Sequence, residues 1–153
     1  AEIAKLKIKG YVQPYGSLPF SFESVGASVY AMLLYRAKKY VDISTPYLIL
    51  NSELESAICQ AAKSGVRVRL LTPHIPDKKL VFQLTRSSYK KLLEAGVQIY
   101  EFTPGFVHAK TFVVDGEMAT VGTINLDYRS LFLHSENGTF LYHCDAIKDI
   151  QEE

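Results

Sequence analysis

His108 and Lys110 stand two positions apart, and in an extended chain positions i and i+2 face the same side. The pair therefore presents an imidazole and an ammonium to one site. An imidazole can attack phosphorus or give a proton to a leaving oxygen, and its ordinary pKa of about 6.5 suits both tasks. The ammonium, with the amide of Asn125, can hold the non-bridging oxygens of a phosphodiester as charge builds on them. Asp115 lies five positions beyond Lys110, so the same parity turns it to the opposite face. It is read as a structural residue at a hairpin turn. Thr123 and Asn125 share a parity, and both face the phosphate pocket if the backbone stays extended there.

The full spacing is His108-x-Lys110-x4-Asp115-x6-Gly122-Thr123-x-Asn125. A lone HxK pair is common by chance, whereas the whole string in a hairpin context is specific. It resembles the HxK(x)4D(x)6G(S/T)xN signature of the phospholipase D superfamily. That resemblance assigns a downstream carboxylate to orient the histidine, and Glu136 is the matching position. His74, His134 and His143 carry no second HxK spacing and no metal-ligand spacing, so they are read as ordinary polar residues. No metal and no cofactor is implied.

The elements that must position these residues follow from periodicity. Leu6–Val12 reads as a short strand, and Gln13–Pro19 as a turn-rich loop. Ser21–Tyr40 repeats at helical spacing through Val25, Val29, Met32 and Leu33, and Tyr40–Thr45 is a buried-type strand ended by Pro46. Ser52 and Glu55 have capping-box spacing at the start of a helix that runs to Gly65. Val66–Leu71 is a strand, Asp77–Ala95 one long helix closed by Gly96, and Val97–Phe102 a strand. Lys110–Val114 and Glu117–Gly122 flank Asp115-Gly116, a strong hairpin signal, and Glu136–Tyr142 is a last strand. The expected fold is α/β: a mixed, mostly parallel sheet flanked by helices on both faces, a phospholipase D-like half-domain filling residues 1–153 as one domain.

Composition narrows the function. The chain is 48% hydrophobic and 22% charged with a formal net charge of +1, which gives no basic stripe for a sequence-independent grip on nucleic acid. Nucleic acid is not an expected partner. Cys59 and Cys144 are too few and too far apart to frame a fold by disulfides. The longest apolar run, Val29–Tyr35, is seven residues and cannot span a bilayer. The chain is therefore expected to be soluble, without a transmembrane segment. It lacks an initiator Met and closes on a helix that has barely begun, which reads as a piece of a longer protein.

Beyond the motif, most of the chain resembles the second half of bacterial cardiolipin synthases. The resemblance runs through Val12-Gln13, Thr45-Pro-Tyr47, Leu54–Arg69, Pro76–Val81, Leu92–Val97, Gly122–Asp127 and Arg129-Ser130. Leu18, where a glycine is usual, and His134-Ser135, where Asn-Phe is common, depart from it. It implies that phosphatidylglycerol donates its phosphatidyl group to a histidine, releases glycerol, and passes the group to a second lipid to give cardiolipin. Two histidines are needed. A missing N-terminal HxK half, or a second copy in a homodimer, would supply the other. As the second-half residue, His108 would be the acid/base. The resemblance also implies a phospholipid substrate and a bacterial membrane location, with the membrane surface as partner. Tyr47, at a strand end, and Arg86 are candidate head-group contacts. The alternatives are a single-motif phosphodiesterase or nuclease acting as a homodimer, and a non-catalytic half that supports its partner. The isolated fragment is expected to be inactive alone.

Overall fold

Val41, Ile43, Val68, Leu70, Phe112 and Val114 recur at alternate positions along three strands and are almost wholly buried. That period of two puts all six on one face of the sheet. In the computed structural model, which describes residues 9–19, 21–75, 77 and 79–152, the chain begins with β1 (Tyr11–Ser17), α1 (Val25–Arg36), β2 (Tyr40–Ser44) and α2 (Ser52–Lys63). It continues with β3 (Arg67–Pro73), α3 (Lys79–Ser87), α4 (Tyr89–Glu94), β4 (Gln98–Phe102) and β5 (Thr111–Val114). It closes with β6 (Met118–Gly122), α5 (Tyr128–Phe132), β7 (Glu136–Tyr142) and α6 (Ala146–Glu152).

The strands form a mixed seven-stranded sheet in the order β1-β7-β6-β5-β2-β3-β4. The α/β class and the mixed sheet agree with the sequence reading, but the share of parallel pairs does not. Only β2–β3 and β3–β4 are parallel, and the other four neighbouring pairs are antiparallel. The reason is that β1 leaves for the far edge and pairs with β7, so the first β-α-β stretch does not place its strands side by side. The strand itself also differs from expectation. Leu6–Ile8 of the expected strand lie outside the described residues, and β1 takes in Gln13-Pro14-Tyr15-Gly16, which composition marked as loop. Pro14 is tolerated because an edge strand has one unpaired side, where a missing N–H costs nothing.

Helices cover both faces. α1, α2 and α4 pack over Val41, Ile43, Val68, Leu70, Phe112 and Val114, where Tyr30 stacks on Phe112 at 4.3 Å between centroids. Fully burying side chains of this size contributes roughly 2–3 kcal/mol each. On the other face Ile147 of α6 packs on Val113, Ala119 and Leu141.

Three helix boundaries moved for local reasons. α1 starts at Val25 because Ser24 caps it, its hydroxyl accepting from Ala27 N–H. α2 is capped by Asn51, whose side chain accepts from Leu54 N–H at 3.0 Å, so the Ser52–Glu55 capping box does not form. Glu55 instead pairs with Lys91. The single helix expected over Asp77–Ala95 is two, broken at Ser88 beside Ser87, whose hydroxyl bonds the Leu84 carbonyl.

Register brings one set of strand ends together. Ser44 pairs with both Leu71 and Thr111, Thr111 with Val121, Gly122 with Gly138, and Ser17 with Glu136. The loops that leave this end carry the residues the motif picked out.

Candidate active site

The hairpin between β5 and β6 is fixed at its closed end. Asp115 and Gly116 both have positive φ, 56° and 68°, the pairing a type I′ turn requires. The Asp115 carboxylate accepts the backbone N–H groups of Lys38, Lys39 and Tyr40, each at 2.8 Å. Burial pushes its pKa up, but the three donors and the Lys39 charge outweigh that and hold it below the ordinary value of 3.8. Asp115 thus ties the turn to the segment entering β2, at the opposite end of β5 from Lys110. Gly122 fixes the open end. A Cβ there would lie 2.3 Å from the Asn137 carbonyl oxygen and 2.6 Å from Gly138 Cα, so only glycine lets β6 lie this close to β7.

His108 and Lys110 sit where the chain enters β5. The Lys110 ammonium donates to the His108 carbonyl oxygen at 2.6 Å and lies 2.9 Å from His108 Nδ1. An ammonium has no lone pair, so Nδ1 accepts and the neutral ring carries its proton on Nε2. Lys110 is buried while the ring is exposed. Burial, then the neighbouring Lys110 charge, lowers the His108 pKa below 6.5 against an opposing pull from Asp77. Burial also lowers the Lys110 pKa, partly offset by Glu136 and Asp127.

A cavity of about 460 Å³ opens over this pair, lined also by Gly122, Thr123 and Asn125. Five of the residues singled out by spacing therefore share one cavity. The Asn125 amide donates to the buried hydroxyl of Ser130 at 2.9 Å, and its Oδ1 is buried without a partner among the described residues. The loop carrying Asn125 is held by Tyr30, whose hydroxyl donates to the Ile124 carbonyl at 2.6 Å, and by Ile49 N–H, which bonds the Leu126 carbonyl at 2.7 Å.

Glu136 is at the rim, but it makes no hydrogen bond to His108. Its carboxylate accepts the Thr123 hydroxyl and lies 3.6 Å from His134 Nδ1. Tyr47 reaches the site indirectly. Its hydroxyl donates to Asp77 at 2.5 Å, its ring packs 6.5 Å from Phe106, and Phe106 lies 5.7 Å from the His108 ring. Burial and the Asp77 carboxylate push the Tyr47 pKa up to about 12. Tyr47 lines an adjoining cavity with Asn125 rather than the one over His108. Arg86 lines neither: it pairs with Glu101 at 3.2 Å and lies over Phe82. Arg86 was a candidate head-group contact, and its partner Glu101 lies on β4.

Phe106, Asp77 and Ser130 touch the site and were not singled out from the sequence. Ser130 had a legible signal, since Asp127 three positions earlier is an N-cap residue whose carboxylate accepts Ser130 N–H at 2.8 Å. Among the described residues no three His, Cys, Asp or Glu side chains converge as metal ligands would.

Known proteins similar to this chain share its family or its fold. A family model described as cardiolipin synthase, PLD-like domain, matches residues 30–153. An uncharacterized protein of Streptococcus mutans serotype c is 54% identical over 144 residues, covering 94% of this chain and 31% of that protein. A cardiolipin synthase of Geobacillus kaustophilus is 43% identical over 139 residues, covering 91% of this chain and 28% of the synthase. The chain thus spans less than a third of these curated relatives. The crystal structure of Nuc, a phospholipase D family member from Salmonella typhimurium, matches with a TM-score of 0.78 at 16% identity. That match covers 94% of this chain and 91% of that one, and shows a shared fold. With the family match running from α1 through the hairpin that carries His108 and Lys110, the chain belongs to the cardiolipin synthase, PLD-like domain family.

Proposed function

We propose that this chain is one catalytic half of a phosphatidyltransferase that makes cardiolipin from two phosphatidylglycerol molecules. The observation that carries the reading is the single imidazole in the cavity, backed by an ammonium and faced by Asn125 and Thr123. The chemistry needs two imidazoles, and the other three histidines serve elsewhere. His74 bonds Glu101, His134 bonds Arg129 and pairs with Glu136, and His143 sits by Glu117 near the hairpin turn. A second imidazole must come from the rest of a longer protein or from a second copy.

In the first displacement the incoming imidazole nitrogen bonds to phosphorus, the bond to the glycerol oxygen breaks, and that oxygen takes a proton from the His108 imidazolium, which is left as the neutral ring. In the second, the acceptor hydroxyl gives its proton back to His108, its oxygen bonds to phosphorus, and the phosphorus–nitrogen bond breaks. The exposed His108 ring lines the cavity, which supports the acid/base role. Lys110 and Asn125 hold the non-bridging oxygens. Glu136 acts on this cavity through Thr123. No helix among the described residues is long and apolar enough to cross a membrane, so the reading places the lipid at a membrane surface.

A single-motif phosphodiesterase working as a homodimer is the second reading, favoured by one observation: the fold accounts for 91% of the Nuc chain. The two are separated by assaying the full-length protein on phosphatidylglycerol in mixed micelles with EDTA, beside His108→Ala. Cardiolipin and glycerol from the wild type alone support the transferase, whereas turnover of a nucleic acid or a simple phosphodiester with none of the lipid supports the second reading. The isolated chain as a demonstrated monomer is expected to be inactive.

A further inference from the structure

A second cavity, of about 290 Å³, adjoins the one over His108 and shares Asn125 with it. Its lining is mixed in character. It includes the apolar Ile49 and Val81 and the exposed ring of Tyr128. It also carries Arg129 and His134, with the guanidinium Nη2 3.3 Å from the imidazole Nε2. Asp127 also lines it, but one of its oxygens is engaged by Ser130 N–H.

Arg129 makes no ion pair with a carboxylate among the described residues. That sets it apart from Arg86, which Glu101 takes, and from Lys110, which is buried in the catalytic cavity. Arg129 is exposed and lines a cleft that also carries the apolar Ile49 and Val81. A fork of donors in a cleft with apolar lining suits a molecule with an anionic head and a hydrocarbon body.

We propose that this cavity is the binding site for the acceptor lipid, an anionic phospholipid with a free head-group hydroxyl whose phosphate is held by Arg129. The inference rests on the transferase reading. Two anionic lipids must meet at one phosphorus, and the donor phosphate occupies Lys110 and His108. A second phosphate in that cavity would be repelled by the first, so the acceptor needs its own cation nearby. Asn125, the wall common to both cavities, lies between the acceptor phosphate and the reacting centre. In the step served, the acceptor hydroxyl oxygen bonds to the donor phosphorus, the phosphorus–nitrogen bond breaks, and the hydroxyl proton goes to His108.

The test uses a competition in the full-length protein. Phosphatidylglycerol micelles with labelled glycerol give two products from the same intermediate: cardiolipin, when lipid is the acceptor, and labelled phosphatidylglycerol, when glycerol is. Arg129→Gln should lower the ratio of cardiolipin to labelled lipid by about tenfold or more, the size of one charge-assisted hydrogen bond. Arg129→Lys, which keeps the charge, should recover most of the ratio. A proportional loss of both products, or an unchanged ratio, overturns the acceptor site while leaving the transferase reading intact. If the wild type forms neither product from phosphatidylglycerol, the transferase reading fails and the acceptor site falls with it.

Discussion

The Lys110 ammonium lies 2.9 Å from Nδ1 of His108 and donates to that residue's own carbonyl oxygen at 2.6 Å, so one side chain fixes both the ring and the backbone that carries it. Its charge is also one of the two causes that hold the His108 pKa below 6.5, burial being the larger. Removing the charge must therefore raise that pKa. Lys110→Gln should move the His108 titration, followed by NMR of the ring, to higher pH in the variant. It should also lower kcat by about 10²–10³-fold, since the cation that steadies the phosphoryl oxygens is lost with it. A titration unmoved or shifted downward would mean that Lys110 does not act on the ring.

Asp115 acts at the far end of the same strand. Its carboxylate takes three backbone N–H groups, and its folded pKa lies below the ordinary 3.8. A carboxylate with a depressed folded pKa contributes stability that is fully present above the unfolded value and is lost as pH falls through the folded one. Asp115→Asn keeps a residue that tolerates positive φ but removes the charge. It should cost about 1–2 kcal/mol at neutral pH, a figure discounted because the group is partly exposed. Urea unfolding at several pH values checks this: the gap between the two proteins should close as pH drops below 3.8.

What the sequence made legible was local. The β5–β6 hairpin was readable because Asp115-Gly116 can satisfy two consecutive positive φ angles, and the shared face of His108 and Lys110 because parity needs only two residues. What it hid was decided across the fold. Tyr15 and Gly16 look like turn residues, yet β1 forms through them because it pairs with β7 and Tyr15 hydrogen-bonds Thr120 at 2.9 Å. The antiparallel majority of the sheet follows from the same edge placement. Arg86, on α3, was a reasonable pocket residue until Glu101, on β4, took its guanidinium. Phe106 and Asp77 reach the site only through tertiary packing, with no spacing to announce them.

Asn125 is presented to the cavity by Ser130, which is 2% exposed and accepts its amide at 2.9 Å. Ser130→Ala leaves the Asp127 contact to its backbone N–H in place, so the start of α5 keeps its cap. What goes is the one hydrogen bond that fixes the amide among the described residues. With the amide free to rotate, kcat should fall about tenfold, the worth of a buried neutral hydrogen bond of roughly 1–1.5 kcal/mol. If Ser130 works through Asn125, the same change made on an Asn125→Ala background should have almost no further effect, because nothing remains to be oriented. The measurement is a double-mutant cycle on kcat in the full-length protein, with unfolding midpoints recorded for each variant. Additive losses would show that Ser130 supports the loop as a whole. Losses that do not add, with midpoints preserved, would make it the residue that aims the amide at the phosphoryl group.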